Sequence, residues 1–418
     1  VTNENQTTLI SKLRCGWQQA AAWGLRRHAP RKIYYGAYAI FFCGFLFFPS
    51  SKSHNNFFYI TLLLPSLIIL RHLFSTFLKN PVFKLIITYL AYLVLTNFWG
   101  VNVTLANVAE QIKHLLYVLA FITASIVVEA YYPEKRDRLL PAMAGVAAIA
   151  FLVNTLWWYQ SHSFPTDRLF DIMGRLDNPI LAGCIAGMAG LVLIDILQQQ
   201  AGVGVRLMAG FAFAIHLTFI ILSQSRTALA ALTPALLVLL IPHIRRHRRP
   251  LIIAGALFLV MGFIFQDALI AGFSRSSFRL DTWRATLEKT IPHLWWGQGY
   301  FCDTFALHID ELNMDIPHAH NVFIATLRDG GIVGVLLLSC ALAASGWRAW
   351  RQALASKRYL NLALITFGVL ALSFDNDRLV ANPEELWVFF WYPLGRIMAQ
   401  DLVREGQRGN SVTIPLIQ

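Results

Sequence analysis

RLMAGFAFAIHLTFIILSQSRTALAALTPALLVLLIPHIRRHRR, residues 206–249, decides the fold. It takes in two apolar runs, 205–222 (begun one residue earlier) and 227–243, each close to the ~20 residues a helix needs to cross a ~30 Å hydrocarbon core. Only the polar turn Ser223–Arg226 separates them, and Arg245, Arg246, Arg248 and Arg249 close the second. A bilayer offers no partner for an open backbone N–H or C=O, so helix is the expected element. Outward from this pair, comparable runs occur at 33–49, 56–75, 82–98, 115–131, 139–158, 179–198, 249–265, 330–347, 359–374 and 386–400. The expected fold class is an all-α polytopic membrane protein of about twelve transmembrane helices. Composition agrees: 56% of the 418 residues are hydrophobic and 14% charged, where soluble domains carry roughly a quarter charged.

Lys and Arg set the expected orientation. The clusters Arg26, Arg27, Arg31, Lys32; Lys135, Arg136, Arg138; Arg245 to Arg249; and Arg348, Arg351, Lys357, Arg358 fall on one side when about twelve spans alternate. That is the cytoplasmic side by the positive-inside rule. The resulting organisation is a basic cytoplasmic N-terminus at 1–32, spans one to nine within 33–265, a long periplasmic loop at 266–329, spans ten to twelve within 330–400, and a cytoplasmic tail at 401–418. Both termini are expected in the cytoplasm of a bacterium, with the chain in its inner membrane. The net charge of +12 then reads as topological anchoring, so no nucleic-acid partner is expected. The first 32 residues are polar and basic, so no cleavable signal peptide is expected. The five cysteines are scattered without CxxC spacing, which points to neither a disulfide nor a metal site. Trp99, Trp157 and Trp158 at run ends read as interfacial aromatics. Within 266–329, helical patterning appears at Phe278–Thr290 and His320–Arg328.

Some cations defy the topological bias: Arg168, Arg175, Arg226, Arg275, Arg279, Arg284, Lys289, Arg328 and Arg378, all on the expected periplasmic side. A guanidinium there needs an anion, either a carboxylate such as Asp167, Asp171, Asp281 or Asp377, or a phosphate its planar fork suits. Arg226 has almost no loop to hold it in water, and burial of an arginine in a span costs about 2.5 kcal/mol or more unless it is paired, snorkels or lines a wet cavity. Arg279 and Arg284 are five apart, about 140° around a helix, so one can face a ligand and the other solvent. His216 lies within a span and reads as a core histidine, while His54, His293 and His308 have no supporting pattern. His318 and His320, in PHAHN (317–321), lack the further ligands a metal site needs. They suit proton transfer near neutral pH, with a helix cap or a head-group contact as the plainer reading. Asp375, Asp377, Glu384 and Glu385 in the last periplasmic loop are the carboxylates available to orient such a base.

The motifs SQSRTALAAL (223–232), FRLDTWRATLEKTIPHLWWGQGY (278–300), HAHNVFIATLRDGGIVGVLL (318–337) and GRLDNPILAG (174–183) resemble the O-antigen ligase family. That family shares a superfamily with O-antigen polymerases and bacterial protein O-oligosaccharyltransferases. The resemblance implies a metal-independent glycosyltransferase without cofactors. It would move a glycan from an undecaprenyl-pyrophosphate donor to a sugar hydroxyl of lipid A–core. It also implies that Arg226 and Arg279 bind pyrophosphate, with Arg175 as a third cation and Arg284 and Arg168 as further candidates. His320 or His318 would be the base, and Asp375 or Asp377 the accompanying aspartate. A polymerase or a protein O-oligosaccharyltransferase would differ in acceptor; the latter tend to be longer. A flippase or transporter would instead place ionisable groups near mid-membrane.

Overall fold

The computed structural model describes residues 28–100, 103–131, 133–170, 174–199, 202–244, 266, 279–301, 307–309, 314–316 and 319–407. Both runs of the 206–249 stretch are helices in it. In chain order the helices are α1 (His28–Gly44), α2 (Ser51–Phe77, with a π turn at Tyr59–Leu63), α3 (Pro81–Leu95), α4 (Leu105–Tyr131), α5 (Pro133–Trp158), α6 (Pro179–Gln198), α7 (Val203–Leu222) and α8 (Arg226–Ile244). There follow α9 (Arg279–Thr290), a short antiparallel hairpin of β1 (Leu307–Ile309) and β2 (Met314–Ile316), then α10 (Val322–Ser356), α11 (Leu360–Phe374) and α12 (Tyr392–Gln407), which a π turn at Trp387–Trp391 leads into. The fold is a polytopic all-α membrane protein. Among the described residues seven helices are long and apolar enough to cross a bilayer, and Arg226–Leu240 and Leu360–Phe374 are shorter apolar helices. The expected span 249–265 lies outside the described residues.

Asparagine starts three of these helices. Asn80 Oδ1 accepts from Val82 N, Asn178 Oδ1 from Ile180 N, and Asn321 Oδ1 from both Phe323 N and Ile324 N. Each cap satisfies amides that no preceding turn can reach. Proline follows the first two caps, where its missing N–H is not needed.

The tenth span begins differently from its expected start at 330. The helix starts at Val322, inside the stretch expected to be loop, and is broken at Gly331. Gly331 has φ 63°, ψ −165°, a region essentially closed to residues with a Cβ. A break inside a span frees backbone groups that lipid cannot satisfy. The turn 294–299 supplies the partners: Ile332 N donates to Leu294 O (2.8 Å), Gln298 N to Arg328 O (2.7 Å) and Gly299 N to Asp329 O (3.0 Å). The hairpin, with His308 opposite Asp315, is the other local feature the apolar pattern did not foretell.

A buried aromatic cluster of Phe41, Phe58, Phe121 and Trp387 joins α1, α2, α4 and the π turn. At the end of the bundle where α3 and α11 begin and α4 and α10 finish, a polar network crosses the helices. Arg396 Nη1 donates to Glu129 Oε2 at 2.6 Å, Tyr392 OH to Glu129 Oε1 at 2.6 Å, and Arg396 Nε to Asn361 Oδ1 at 2.8 Å. It continues through Gln352 to Asp401, which also faces Arg348.

Candidate functional site

The opposite end, where α8, α9 and α10 begin and α11 finishes, gathers the residues singled out in the sequence. Arg226 is the first residue of α8 and Arg279 the first of α9. Arg279 Nη2 donates to Thr227 Oγ1 at 3.1 Å, tying the two helix starts together. His320 precedes the Asn321 cap of α10, and its Nδ1 lies 3.0 Å from Oδ1 of Asp375, the residue that ends α11. Asn321 Nδ2 donates to Ser373 O (2.9 Å) and Trp283 Nε1 to Ala319 O (2.7 Å), so α9, α10 and α11 are locked around this pair.

His320 has φ 49°, a left-handed conformation that histidine tolerates better than branched residues. Its side chain is one-third exposed while Asp375 is 9% exposed: an open imidazole on a buried carboxylate. Asp375 Oδ1 also accepts from Asn376 N (2.8 Å), whereas Oδ2 is buried without a hydrogen bond. Burial pushes the Arg279 guanidinium down from its usual range and the like charge of Arg226 adds to this, against the pull of Asp375. The site thus holds two guanidinium groups and one carboxylate close enough to feel one another, at a place where three helix N-termini add positive potential.

The remaining candidates separate. Arg284 is on the outer face of α9, 81% exposed and bonded to Glu288 Oε1 at 2.9 Å, so it does not join Arg279. Arg168 Nε donates to Ser223 O (2.9 Å), packing its loop against the turn that precedes Arg226. Arg175 is buried among its own partners: Glu385 Oε1 at 3.2 Å, His54 Nδ1 at 3.1 Å and Asn55 Oδ1 at 2.9 Å. Asp377 faces Arg328, not a histidine: Nη1 to Oδ1 and Nη2 to Oδ2 are both 3.1 Å. His318 and Arg275 lie outside the described residues.

The loop 375–385 therefore reaches four polar groups at this end, through Asp375 to His320, Asp377 to Arg328, Asn382 to Tyr59 and Glu385 to Arg175. His54 had no sequence signal. It lies between the rings of Phe41, Phe45 and Phe48 with Nε2 2.8 Å from Phe41 O. The sequence singled out Arg175 as a cation and Glu385 as a carboxylate that could orient a base, and the structure pairs the two with each other. Among the described residues no group of three or more His, Cys, Asp or Glu side chains is placed to hold a metal ion.

An O-antigen ligase family model matches residues 211–339, which take in Arg226, Arg279, His320 and Arg328. The O-antigen ligase of Pseudomonas aeruginosa strain PAO1 is 25% identical over 375 residues, covering 87% of this chain and 90% of that protein. Both similarities point to the O-antigen ligase family. With the apolar helices, these similarities support a multi-pass membrane fold and a glycosyltransferase-type ligase role in lipopolysaccharide biosynthesis. The family match ends before the loop 375–385.

Proposed function

We propose that this end of the bundle faces the periplasm and transfers a glycan from undecaprenyl pyrophosphate to a sugar hydroxyl of lipid A–core. The observation that carries the reading is the meeting of the His320–Asp375 pair with Arg279 and Arg226 at the starts of α8, α9 and α10. His320 Nδ1 carries the proton it shares with the Asp375 carboxylate, which leaves Nε2 with the lone pair. Nε2 takes the proton of the acceptor hydroxyl as its oxygen bonds to the anomeric carbon of the donor glycan. The bond from that carbon to the pyrophosphate oxygen breaks, and undecaprenyl pyrophosphate leaves with the electron pair. Asp375 stabilises the imidazolium that forms. Arg279 and Arg226 stabilise the charge that grows on the diphosphate, where fixed cations away from bulk water act most strongly. The pyrophosphate linkage is already activated, so the reaction needs no nucleotide.

The test is reconstitution of the purified protein in liposomes with lipid-linked glycan and two competing acceptors, lipid A–core and a second lipid-linked glycan. Extension of lipid A–core, lost in His320→Ala and Arg279→Ala, is the expected result. Extension of the second glycan alone would reassign the chain as a polymerase, and undiminished transfer by His320→Ala would remove the general-base role.

A further inference from the structure

Next to the proposed base lies a second charged assembly that the transfer mechanism leaves unused. Arg328 is 2% exposed, and its fork grips both oxygens of Asp377 while Nε donates to Asp329 Oδ1 at 2.7 Å. Arg378 completes the group, 3.7 Å from Asp329 and 4.0 Å from Asp377. Its guanidinium lies over the Tyr300 ring at 4.9 Å, and Tyr300 OH donates to Val380 O in the same loop. Two cations and two carboxylates balance, so this cluster has no surplus charge with which to hold a diphosphate.

Its connection to the site is geometric. A single residue, Asn376, separates Asp375 from Asp377, and it is left-handed at φ 78°. That conformation turns the two carboxylates towards different partners, Asp375 to His320 and Asp377 to Arg328. Those partners sit at the two ends of the stretch 320–328, so the turn 375–377 is fastened to it at two points. The bidentate bond fixes orientation as well as distance, which a single point charge does not do.

We propose that Arg328 and Asp377, supported by Asp329 and Arg378, are positioning residues. They hold the 375–377 turn so that the Asp375 carboxylate meets His320 Nδ1. This rests on the reading of His320 and Asp375 as base and orienting carboxylate.

The experiment measures kcat and donor KM for glycan transfer by the full-length protein in liposomes, with folding followed by monodispersity and thermal unfolding. Arg328→Lys keeps the charge and loses the fork. Asp377→Asn breaks the pair from the other side. The double variant Arg328→Met/Asp377→Leu removes both partners and so leaves no lone charge from this pair. Each is expected to lower kcat about 10- to 100-fold, the scale of a misplacement near 1 Å. Donor KM should stay within about threefold, because binding is left alone. Asp375→Asn/Asp377→Asn should be no slower than Asp375→Asn, since Asp377 acts only through Asp375. A folded Arg328→Met/Asp377→Leu protein with wild-type kcat overturns the proposal, as does an Asp377→Asn loss that adds in full to that of Asp375→Asn. Wild-type rates in Asp375→Asn or His320→Ala would instead sink the underlying base assignment. Inactivity of those two beside a normal Arg328→Met/Asp377→Leu sinks the positioning role alone.

Discussion

The two ends of the helix bundle handle buried charge in opposite ways. Around Arg396, the pair with Glu129 is shared with Tyr392 and Asn361, and the chain of bonds runs on through Gln352 to Asp401. At the other end, Arg279 feels Arg226 as a like charge, and Asp375 keeps one buried oxygen without a hydrogen bond. The first arrangement is saturated and has nothing left to offer a ligand. The second sets two guanidinium groups near one carboxylate, an arrangement suited to the proposed diphosphate ligand. Burial alone therefore does not mark a functional charge.

Substitution should separate the ends, and the largest effect belongs to the site. Arg279→Ala should reduce glycan transfer about 10²- to 10³-fold, the loss typical of removing one stabiliser of developing charge. Its thermal unfolding should stay near wild type, because a crowded cation is relieved. Wild-type turnover in liposomes would break the contrast at its functional pole. Arg396→Met should do the reverse. Leaving Glu129 as a lone buried charge costs about 3–5 kcal/mol, seen as a large fall in thermal midpoint with turnover per folded molecule unchanged. Adding Glu129→Leu should recover much of that loss. If the double variant stays as unstable as the single one, the saturated network is more than a buried ion pair.

How far the sequence foretold these ends depends on the kind of signal each carries. Spans follow from apolar run length, and Arg226 and Arg279 stood out as arginines placed against the topological bias, whereas His318 and His320 were singled out together. Asp375 and Asp377 stayed interchangeable in FDND because their roles are divided by one left-handed backbone angle at Asn376. The Arg175 cluster draws His54, Asn55 and Glu385 from distant parts of the chain, and no periodicity encodes that meeting. The Arg396 network was hidden for the same reason: Glu129, Gln352, Asn361 and Arg396 come from four different helices. Local rules read from sequence reach as far as one helix turn, and the pairing of ends is a property of packing.

The break in α10 sharpens the comparison at intermediate size. Gly331 carries φ 63° beside the backbone of Trp295 and Trp296, where a Cβ would collide. Gly331→Ala should cost about 1–3 kcal/mol in strain and disturb the turn 294–299. Because Asp329 and Arg328 accept from that turn through their carbonyls, transfer should fall along with stability. An Ala variant with wild-type unfolding and turnover would show that the break is not held by this glycine.

The smallest expected effect concerns Glu384, which shares the site end with Arg175. Burial and the neighbouring Glu385 push its carboxyl up to about 8 from an ordinary 4.5, against the pull of Arg175, and its Oε1 is enclosed without a hydrogen bond. Between those two values the folded chain holds a proton that the unfolded chain has released. The unfolded state binds fewer protons there, so stability falls as pH rises from 4.5 to about 8 and levels off above it. Glu384→Gln, which stays neutral throughout, should unfold at a higher temperature than wild type at pH 8 to 9, by about 2 °C or more. The difference should shrink as pH approaches 5, where the wild-type carboxyl is protonated anyway when folded. A constant offset across that range would mean that Glu384 is ionised beside Arg175, and that this part of the site end is as saturated as the Arg396 network.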